Sequence, residues 1–224
     1  MDEPTARWRR RKADRPAEIL NAALDCFAER GFAATRMDDV AARAGVTKGT
    51  VYLYFKTKED LFKALVRSQL LPNLEHVEAE AARGGSAAAL LERLVSHWAE
   101  HVVPSRVGVL PKLMIAEAGN FPDLAKFYLD EVVRRALGLI RRILLAGIEA
   151  GEFRPVDADH TAYLVVAPLL LSVLWKHSFG PLDDRPLDTS ALCRAHLDSL
   201  LASLRPSAGK PRRTSARKPP KKVR

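Results

Sequence analysis

The stretch Thr35-Arg-Met-Asp-Asp-Val-Ala-Ala-Arg-Ala-Gly-Val-Thr-Lys-Gly-Thr-Val-Tyr-Leu-Tyr-Phe-Lys-Thr-Lys-Glu-Asp-Leu61 decides how this chain of 224 residues folds. Its apolar residues recur with a helical period on both sides of Gly45, a residue type that commonly ends helices. Two short helices are predicted, over residues 37–44 and 48–55, with Thr35 and Asp38 in capping-box spacing and Thr47 as the second N-cap. This spacing predicts a helix-turn-helix, whose second helix is narrow enough for the DNA major groove.

The second helix displays a set of residues that suit contacts to duplex DNA. They are Lys48, Gly49, Thr50, Tyr52 and Tyr54. Lys48 can reach guanine O6 or N7, Gly49 lets the backbone approach a base edge, and Thr50 can contact a thymine methyl group. The tyrosine hydroxyls suit phosphate oxygens.

Three residues at neighbouring helix starts extend this predicted surface. Lys58 adds its charge to the positive end of the next helix, and Thr35 and Arg36 stand at the start of the first helix of the motif. All three are expected to contact phosphate groups.

The rest of the chain has the helical period almost throughout, with turn signals between the apolar blocks. About nine helices are predicted, and the fold class is all-α. The first helix is placed from about Pro16 to Arg30, the fourth begins behind Thr57 and is bent or broken by Pro72, and the last two cover residues 158–178 and 187–204.

The basic charge is concentrated at the two ends of the chain. Residues 206–224 carry eight basic residues and no acid, so the formal net charge of +9 falls to +1 without them. A second cluster comprises Arg9, Arg10 and Arg11 with Lys12. Both ends are predicted to be disordered. The first is expected to lie as an arm along the adjacent minor groove or backbone, and the tail to bind DNA without sequence preference. A tail that only improves solubility is the alternative.

Residues 16–62 resemble the DNA-binding domain of the TetR family of bacterial transcriptional regulators. The resemblance rests on three segments in the right order and spacing: Ile19-Leu-Asn-Ala-Ala-Leu-Asp-Cys-Phe-Ala-Glu-Arg-Gly-Phe32, Asp39-Val-Ala-Ala-Arg-Ala-Gly-Val-Thr-Lys-Gly-Thr-Val-Tyr52, and Tyr54-Phe-Lys-Thr-Lys-Glu-Asp-Leu61. It implies base contacts from the region of Lys48 and Gly49, and phosphate contacts from Thr47, Tyr52, Tyr54 and Lys58. Arg36 departs from the Thr or Ser of many relatives.

The resemblance also implies a domain organisation and partners. Residues 1–14 are expected to form the arm, 15–58 the DNA-binding domain, 59–205 a helical ligand-binding and dimerisation domain, and 206–224 the tail. The helix over 158–178 is apolar nearly all round, which requires a partner, and a homodimer would recognise a pseudo-palindromic operator in double-stranded DNA. The protein is expected to be a cytoplasmic repressor without a cofactor, and an activator is the alternative, since the sign of regulation depends on where the operator lies relative to a promoter.

A small-molecule inducer is the remaining expected partner, bound in a pocket inside each body. The candidate lining residues are Trp98, His101, Leu110, Met114, Phe121, Phe127, Tyr128 and Trp175. Ordinary core packing is the alternative for each of them. Ligand binding is expected to act on DNA affinity by moving the fourth helix.

Other function classes have weaker support in the sequence. His97-Trp-Ala-Glu-His101 has the H-x-x-E-H spacing of some zinc hydrolases, but no third ligand is apparent, so neither a metal site nor an enzyme is expected. No uncharged apolar run reaches 18 residues, so membrane insertion is not expected. The alternative from another class is a helical small-molecule-binding protein with only non-specific nucleic-acid contacts.

Overall fold

The computed structural model describes the backbone of residues 4–206 and the side chains of residues 14–206, and within this range the chain contains helices and no strands. The N-terminal part contains α1 (Pro4–Arg30), α2 (Met37–Arg43), α3 (Lys48–Tyr54), α4 (Lys58–Leu65) and α5 (Leu71–Ala82). The remainder contains α6 (Ala87–His97), α7 (Val109–Glu117), α8 (Pro122–Tyr128), α9 (Arg134–Glu149), α10 (Ala158–Ser178) and α11 (Thr189–Leu204). The predicted all-α class is confirmed.

Two pairs of these helices are continuous through a π-helical turn. Residues Val66–Leu70 join α4 to α5 just before Pro72, and Leu129–Val133 join α8 to α9. Proline lacks the N–H that would close a helical turn, and the wider π turn carries the helix past this position. When each joined pair is counted as one helix, the described part of the chain has nine helices, as predicted.

Helix α1 begins earlier than predicted. It starts at Pro4 rather than near Pro16, so residues 4–14, expected to be a disordered arm, are helical. The alanines, arginines and lysine of this segment are strong helix formers, and their propensity extends the helix beyond the apolar stripe on which the prediction relied. Residues 1–3 and 207–224 lie outside the described residues, and so do the side chains of Arg9, Arg10 and Arg11.

The ends of the short helices follow local capping rules. Thr47 caps α3 by accepting a hydrogen bond from the Thr50 N–H at 3.2 Å, and Thr57 and Asp60 form a capping box at α4, as predicted. The prediction for α2 was wrong by one residue, because Arg36 occupies the N-cap position. Arginine has no acceptor, so only one half of a capping box forms, in which the Arg36 N–H donates to Asp39 Oδ2 at 2.9 Å.

The buried residues form two clusters that meet in the middle of the molecule. The first contains the inner faces of α1 to α4 together with parts of α7 and α8. The second is formed by α6, α9, α10 and α11. The first cluster therefore joins the helix-turn-helix unit to α7 and α8 of the body, so a displacement of these helices can reach the unit.

Candidate nucleic-acid interface and ligand cavity

Helices α2 and α3 form a helix-turn-helix with a tight turn at Gly45. Gly45 has a φ of +64°, the left-handed conformation that glycine adopts without strain. The N–H of Val46 then returns to the carbonyl of Ala41 at 3.0 Å. Val51 is fully buried on the inner face of α3, which fixes the opposite face toward solvent.

The solvent-facing side of α3 carries most of the residues that the sequence selects for DNA contacts. Lys48, Gly49 and Tyr52 are exposed, Thr50 and Tyr54 are half-buried, and Thr47 is exposed at the N-cap. Leu53 is 74% exposed on the same side and was not predicted. Leu53 lies four residues after Gly49, so the two residues share one helix face. Its exposure beside Gly49 could therefore have been predicted from the sequence.

Lys48 is paired within the helix-turn-helix. Its ammonium nitrogen lies 2.8 Å from Oδ1 and 3.0 Å from Oδ2 of Asp38 on α2, and 5.9 Å from the centre of the Tyr52 ring. The hydrogen bond to Asp38 raises the pKa of Lys48 above its ordinary value. Both side chains are 59% exposed, so the pair is accessible from solvent.

Thr35 does not have the exposed position that the sequence predicts. It is 2% exposed, and its hydroxyl donates to the carbonyl oxygens of Gly31 at 2.7 Å and Cys26 at 3.1 Å. Gly31 directly follows α1 and Cys26 lies near its end, so Thr35 ties this connection to the C-terminus of the helix. In this structure its hydroxyl is not available to a phosphate group.

Lys58 also differs from its predicted role. Its ammonium group donates to the carbonyl of Ala33 at 2.9 Å and lies 4.7 Å from the centre of the Phe32 ring. Burial lowers the pKa of Lys58 below its ordinary value. The charge is therefore directed toward the turn between α1 and α2, whereas Arg36 remains exposed at the start of α2.

A cavity of about 710 Å³ lies inside the body. Its walls come from α5 to α10 and are mostly apolar, with Leu74, Met114, Leu137, Val166 and Leu170 among the lining residues. Its size is within the usual range for small-molecule sites. Lys126 and Tyr163 line it as exposed polar side chains.

One polar group of the cavity wall has a defined hydrogen-bonding state. Asn73 donates through Nδ2 to the carbonyl of Gln69 at 3.0 Å, so its Oδ1 is left to accept from His97 Nε2 at 3.1 Å. The His97 ring also stacks on His76 and His101, with centroids 4.8 and 4.5 Å apart. Burial and the two neighbouring imidazoles lower the pKa of His97.

The eight predicted pocket residues separate into two groups. Trp98, Met114 and Tyr128 line the cavity, and burial raises the pKa of the Tyr128 hydroxyl. The other five are absent from its wall: Leu110 is fully buried, His101 is exposed beside His97, Trp175 packs near Phe179, and Phe121 and Phe127 face α4. Aromatic residues at helical spacing do not reveal which neighbour they contact.

The exposed face of α10 is unusually apolar. Leu164 is 63% exposed and Leu171 is 47% exposed. Among the described helices, α10 is the one long and apolar enough to cross a membrane by length and composition, and 39% of its apolar window is buried in the molecule. Exposed small residues follow the neighbouring helix α11 at Ala195, Ser199 and Ala202.

Family models account for both parts of the chain. The model described as bacterial regulatory proteins, tetR family, matches residues 19–65, and the model described as tetracyclin repressor-like, C-terminal domain, matches residues 81–192. The chain belongs to the TetR family. The first match contains the complete helix-turn-helix, and the second contains most of the cavity wall.

Individual TetR-family relatives agree with this assignment. The HTH-type transcriptional repressor KstR2 of Rhodococcus jostii (strain RHA1) is 31% identical over 182 residues, which are 80% of this chain and 88% of the relative. The fatty acid metabolism regulator protein of Bacillus subtilis (strain 168) is 27% identical over 146 residues, which are 65% of this chain and 74% of the relative. These relatives are transcription regulators.

Solved structures show the same TetR fold. The transcriptional regulator FadR from Bacillus subtilis, in complex with stearoyl-CoA, has a TM-score of 0.72 and 24% identity, covering 84% of this chain and 98% of FadR. The ketosteroid transcriptional regulator KstR2 of Mycobacterium tuberculosis has a TM-score of 0.69 and 25% identity, covering 86% and 95% of the two chains. At this identity the likeness to FadR supports the fold alone.

Proposed function

We propose that this TetR-family regulator acts in the cytoplasm as a dimeric repressor that leaves its operator when an apolar small molecule fills the body cavity. The observation that carries the proposal is the solvent-facing side of α3, where Lys48, Gly49, Tyr52 and Leu53 are exposed on a helix capped by Thr47. A helix with this surface fits the major groove, where donors and apolar groups distinguish base pairs.

A second copy is the proposed cover for the apolar face of α10. Leu164 and Leu171 are exposed on α10, small residues are exposed on α11, and these two helices pack against each other, so two such helix pairs suit a four-helix arrangement. Transfer of these side chains from water favours association. A lipid membrane is the alternative environment for so apolar a helix. Measurements of oligomeric state and of vesicle binding separate a dimer from a membrane-bound protein.

Two-fold symmetry determines the form of the proposed operator. An isologous dimer presents the same helix α3 twice, so the operator consists of two inverted half-sites. Their centres are separated by about one DNA turn, ~34 Å, or a little more. Phosphate contacts from Tyr52, Tyr54 and Arg36 would fix the register of each subunit.

The basic ends of the chain provide a proposed second source of DNA affinity. The charge of +9 over the whole chain is almost entirely that of the eight basic residues after residue 206. Cations that neutralise phosphates give affinity that depends on salt and not on sequence. Deletion of residues 207–224 should therefore flatten the salt dependence of non-specific binding and leave the choice of operator unchanged.

The proposed inducer has a large apolar part. The cavity of about 710 Å³ has a mostly apolar wall, and its exposed cation Lys126 is paired with Asp130, a carboxylate that an anionic ligand group would have to displace. Structures of this fold include FadR with stearoyl-CoA and a ketosteroid regulator. We therefore take a long-chain acyl-CoA as the first class of ligand to examine.

Selection from a random duplex library tests the DNA-binding part of the proposal. The full-length protein should enrich an inverted repeat whose two halves are separated by about one turn or more. A Gly49→Ala and a Lys48→Ala variant, carried through the same selection, should enrich the motif weakly. Enrichment of no motif by the wild type would instead support a small-molecule-binding protein with non-specific DNA contacts.

Stearoyl-CoA, with coenzyme A as the matched control, tests the ligand class. Operator affinity should fall about 5 to 150-fold with stearoyl-CoA, the usual range for coupled sites, and should not change with coenzyme A. Equal effects of the two compounds would assign the response to the head group and would contradict an apolar inducer. No effect of either would exclude long-chain acyl-CoA as the ligand class.

A further inference from the structure

The turn between α7 and α8 contacts the helix-turn-helix unit on one side and the ligand cavity on the other. Met114, Ala118 and Pro122 line the cavity. Glu117 and Phe121, in the same turn of chain, contact the connection between α1 and α2. Neighbouring residues of this one short segment therefore contact the cavity and the connection between α1 and α2.

Two polar contacts hold the α1–α2 connection at Ala33. The Ala33 N–H donates to Oε1 of Glu117 at 3.2 Å, and its carbonyl accepts from the Lys58 ammonium group at 2.9 Å. Glu117 is itself fixed, because its Oε2 accepts from Asn120 Nδ2 at 3.0 Å. One residue of the connection is therefore bonded to the body through its N–H and to α4 through its carbonyl.

Aromatic packing surrounds these hydrogen bonds. The Phe32 and Phe121 rings meet edge to face, with centroids 4.8 Å apart, and the Lys58 ammonium lies 4.7 Å from the first ring and 5.8 Å from the second. Edge-to-face rings and a cation over a ring face are both attractive arrangements. Phe32 is 1% exposed and also packs against Phe27 and Phe62, so it is anchored in the core of the DNA-binding unit.

We propose that Glu117, Phe121, Ala33, Phe32 and Lys58 form a clamp through which occupancy of the cavity sets the position of the helix-turn-helix. The clamp rests on the proposed ligand cavity and identifies the residues of the coupling. A molecule that fills the cavity bears on Met114, Ala118 and Pro122 and displaces the turn, which separates Glu117 from Ala33. The connection then loses its contact with the body, and α2, which begins at the next residues, moves with it.

The clamp is close in sequence to α2, through which it is connected to α3. Thr35 ties the same connection to the end of α1 through the Gly31 and Cys26 carbonyls, and Arg36 begins α2 immediately afterwards. A shift at Ala33 is therefore transmitted to α2 and, through the Gly45 turn, to α3. A second contact accompanies the clamp, because Lys63 and Arg67 lie 5.7 and 4.9 Å from the ring of Phe127 on α8.

A double-mutant cycle in the full-length protein tests the clamp without requiring an identified ligand. Ala136→Phe on α9 fills the cavity from a wall outside the clamp, and Ala146→Phe makes the same change on the exposed side of α9. Glu117→Ala opens the clamp, with Phe121→Leu as a second opening variant and Glu149→Ala as the control. The readouts are affinity for the selected operator and hydrogen exchange of the Ala33 amide.

The clamp predicts that Ala136→Phe weakens operator binding at least about fivefold and speeds Ala33 exchange, whereas Ala146→Phe does neither. In the Glu117→Ala or Phe121→Leu background the further effect of Ala136→Phe should fall below about twofold, because residues in one network are not additive. An effect of full size in both clamp backgrounds, or unchanged Ala33 exchange in the filled variant, overturns the clamp. If no operator can be selected, the DNA-binding proposal fails, whereas the exchange measurement still decides on the clamp.

Discussion

The ammonium nitrogen of Lys48 lies 2.8 Å from Oδ1 of Asp38, which joins the two helices of the helix-turn-helix by an ion pair on the solvent-exposed surface. The carboxylate neutralises the one cation of α3 and repels phosphates. With α3 in the major groove, as proposed, we expect the pair to limit contact of Lys48 with nearby phosphates. Exposed ion pairs contribute little to folding stability, so its main consequence is for DNA binding.

Asp38→Asn should increase affinity for non-specific duplex more than affinity for the operator. The reason is that Lys48 is released to contact phosphates, and the slope of log affinity against log salt should steepen by up to about 1 for each subunit. Titrations against operator and scrambled duplex at several salt concentrations measure both quantities. Asp184→Asn in the exposed loop after α10 changes the formal charge equally and serves as the control. Equal changes in affinity and salt slope in the two variants would show that the effect of Asp38→Asn comes only from the change in net charge.

Gly49→Ala separates DNA contact from folding. An added Cβ would meet only Thr47 Oγ1, at 3.9 Å, so the folded protein has room for it, and alanine favours the helix by about 1 kcal/mol. We expect an unchanged or higher melting temperature together with operator binding at least ~10-fold weaker, about 1.4 kcal/mol. Unchanged operator affinity would show that the α3 backbone does not approach the bases closely.

Stability should decrease as the pH is lowered through the ordinary range of histidine. Burial lowers the pKa of His97, His177 and His196 in the folded protein, whereas the unfolded imidazoles titrate at about 6.5. The unfolded state binds more protons in this range, so the free energy of unfolding is highest above about pH 6.5 and falls below it. Melting scans at one protein concentration measure this loss. His196→Gln should reduce it, and the control Ser199→Ala, at an exposed position without a titratable group on the same helix, should not.

Leu164→Arg should produce monomers and remove most operator binding. The side chain is 63% exposed on the apolar face of α10, so a buried charge would oppose association while the monomer keeps its fold. Loss of two-site binding lowers affinity by on the order of 10²–10⁴. Sedimentation and operator titration measure the two effects. Leu145→Arg on α9 is the control, and a wild-type protein that is monomeric, or that partitions into lipid vesicles, would contradict the dimer.

Much of the fold could be predicted from the sequence because its signals are local. Gly45, Thr47, Thr57 and Asp60 act on their own helix ends, and each had the predicted effect. The start of α1 could not be predicted from an apolar stripe, because the sequence before Pro16 has no such stripe although it is rich in helix-forming residues.

The side-chain directions that the sequence does not indicate depend on neighbours that are distant in sequence. Motif spacing gives Lys58 its place at the start of α4, but the direction of its side chain is set by Ala33, Phe32 and Phe121. Phe121 faces this lysine and not the cavity. Helical periodicity does not indicate which of these two neighbours the side chain contacts. Leu53 is the opposite case, since a helical projection of residues 48–54 places it beside Gly49.

The most direct test of the account is the ratio of affinities for the selected operator and a scrambled duplex, measured for the wild type, Lys48→Ala and Tyr52→Phe. Lys48→Ala should reduce this ratio by about 1 to 3 kcal/mol, because a base contact is lost, whereas Tyr52→Phe should weaken both duplexes alike. A Lys48→Ala protein that discriminates as well as the wild type would contradict the insertion of α3 into the major groove.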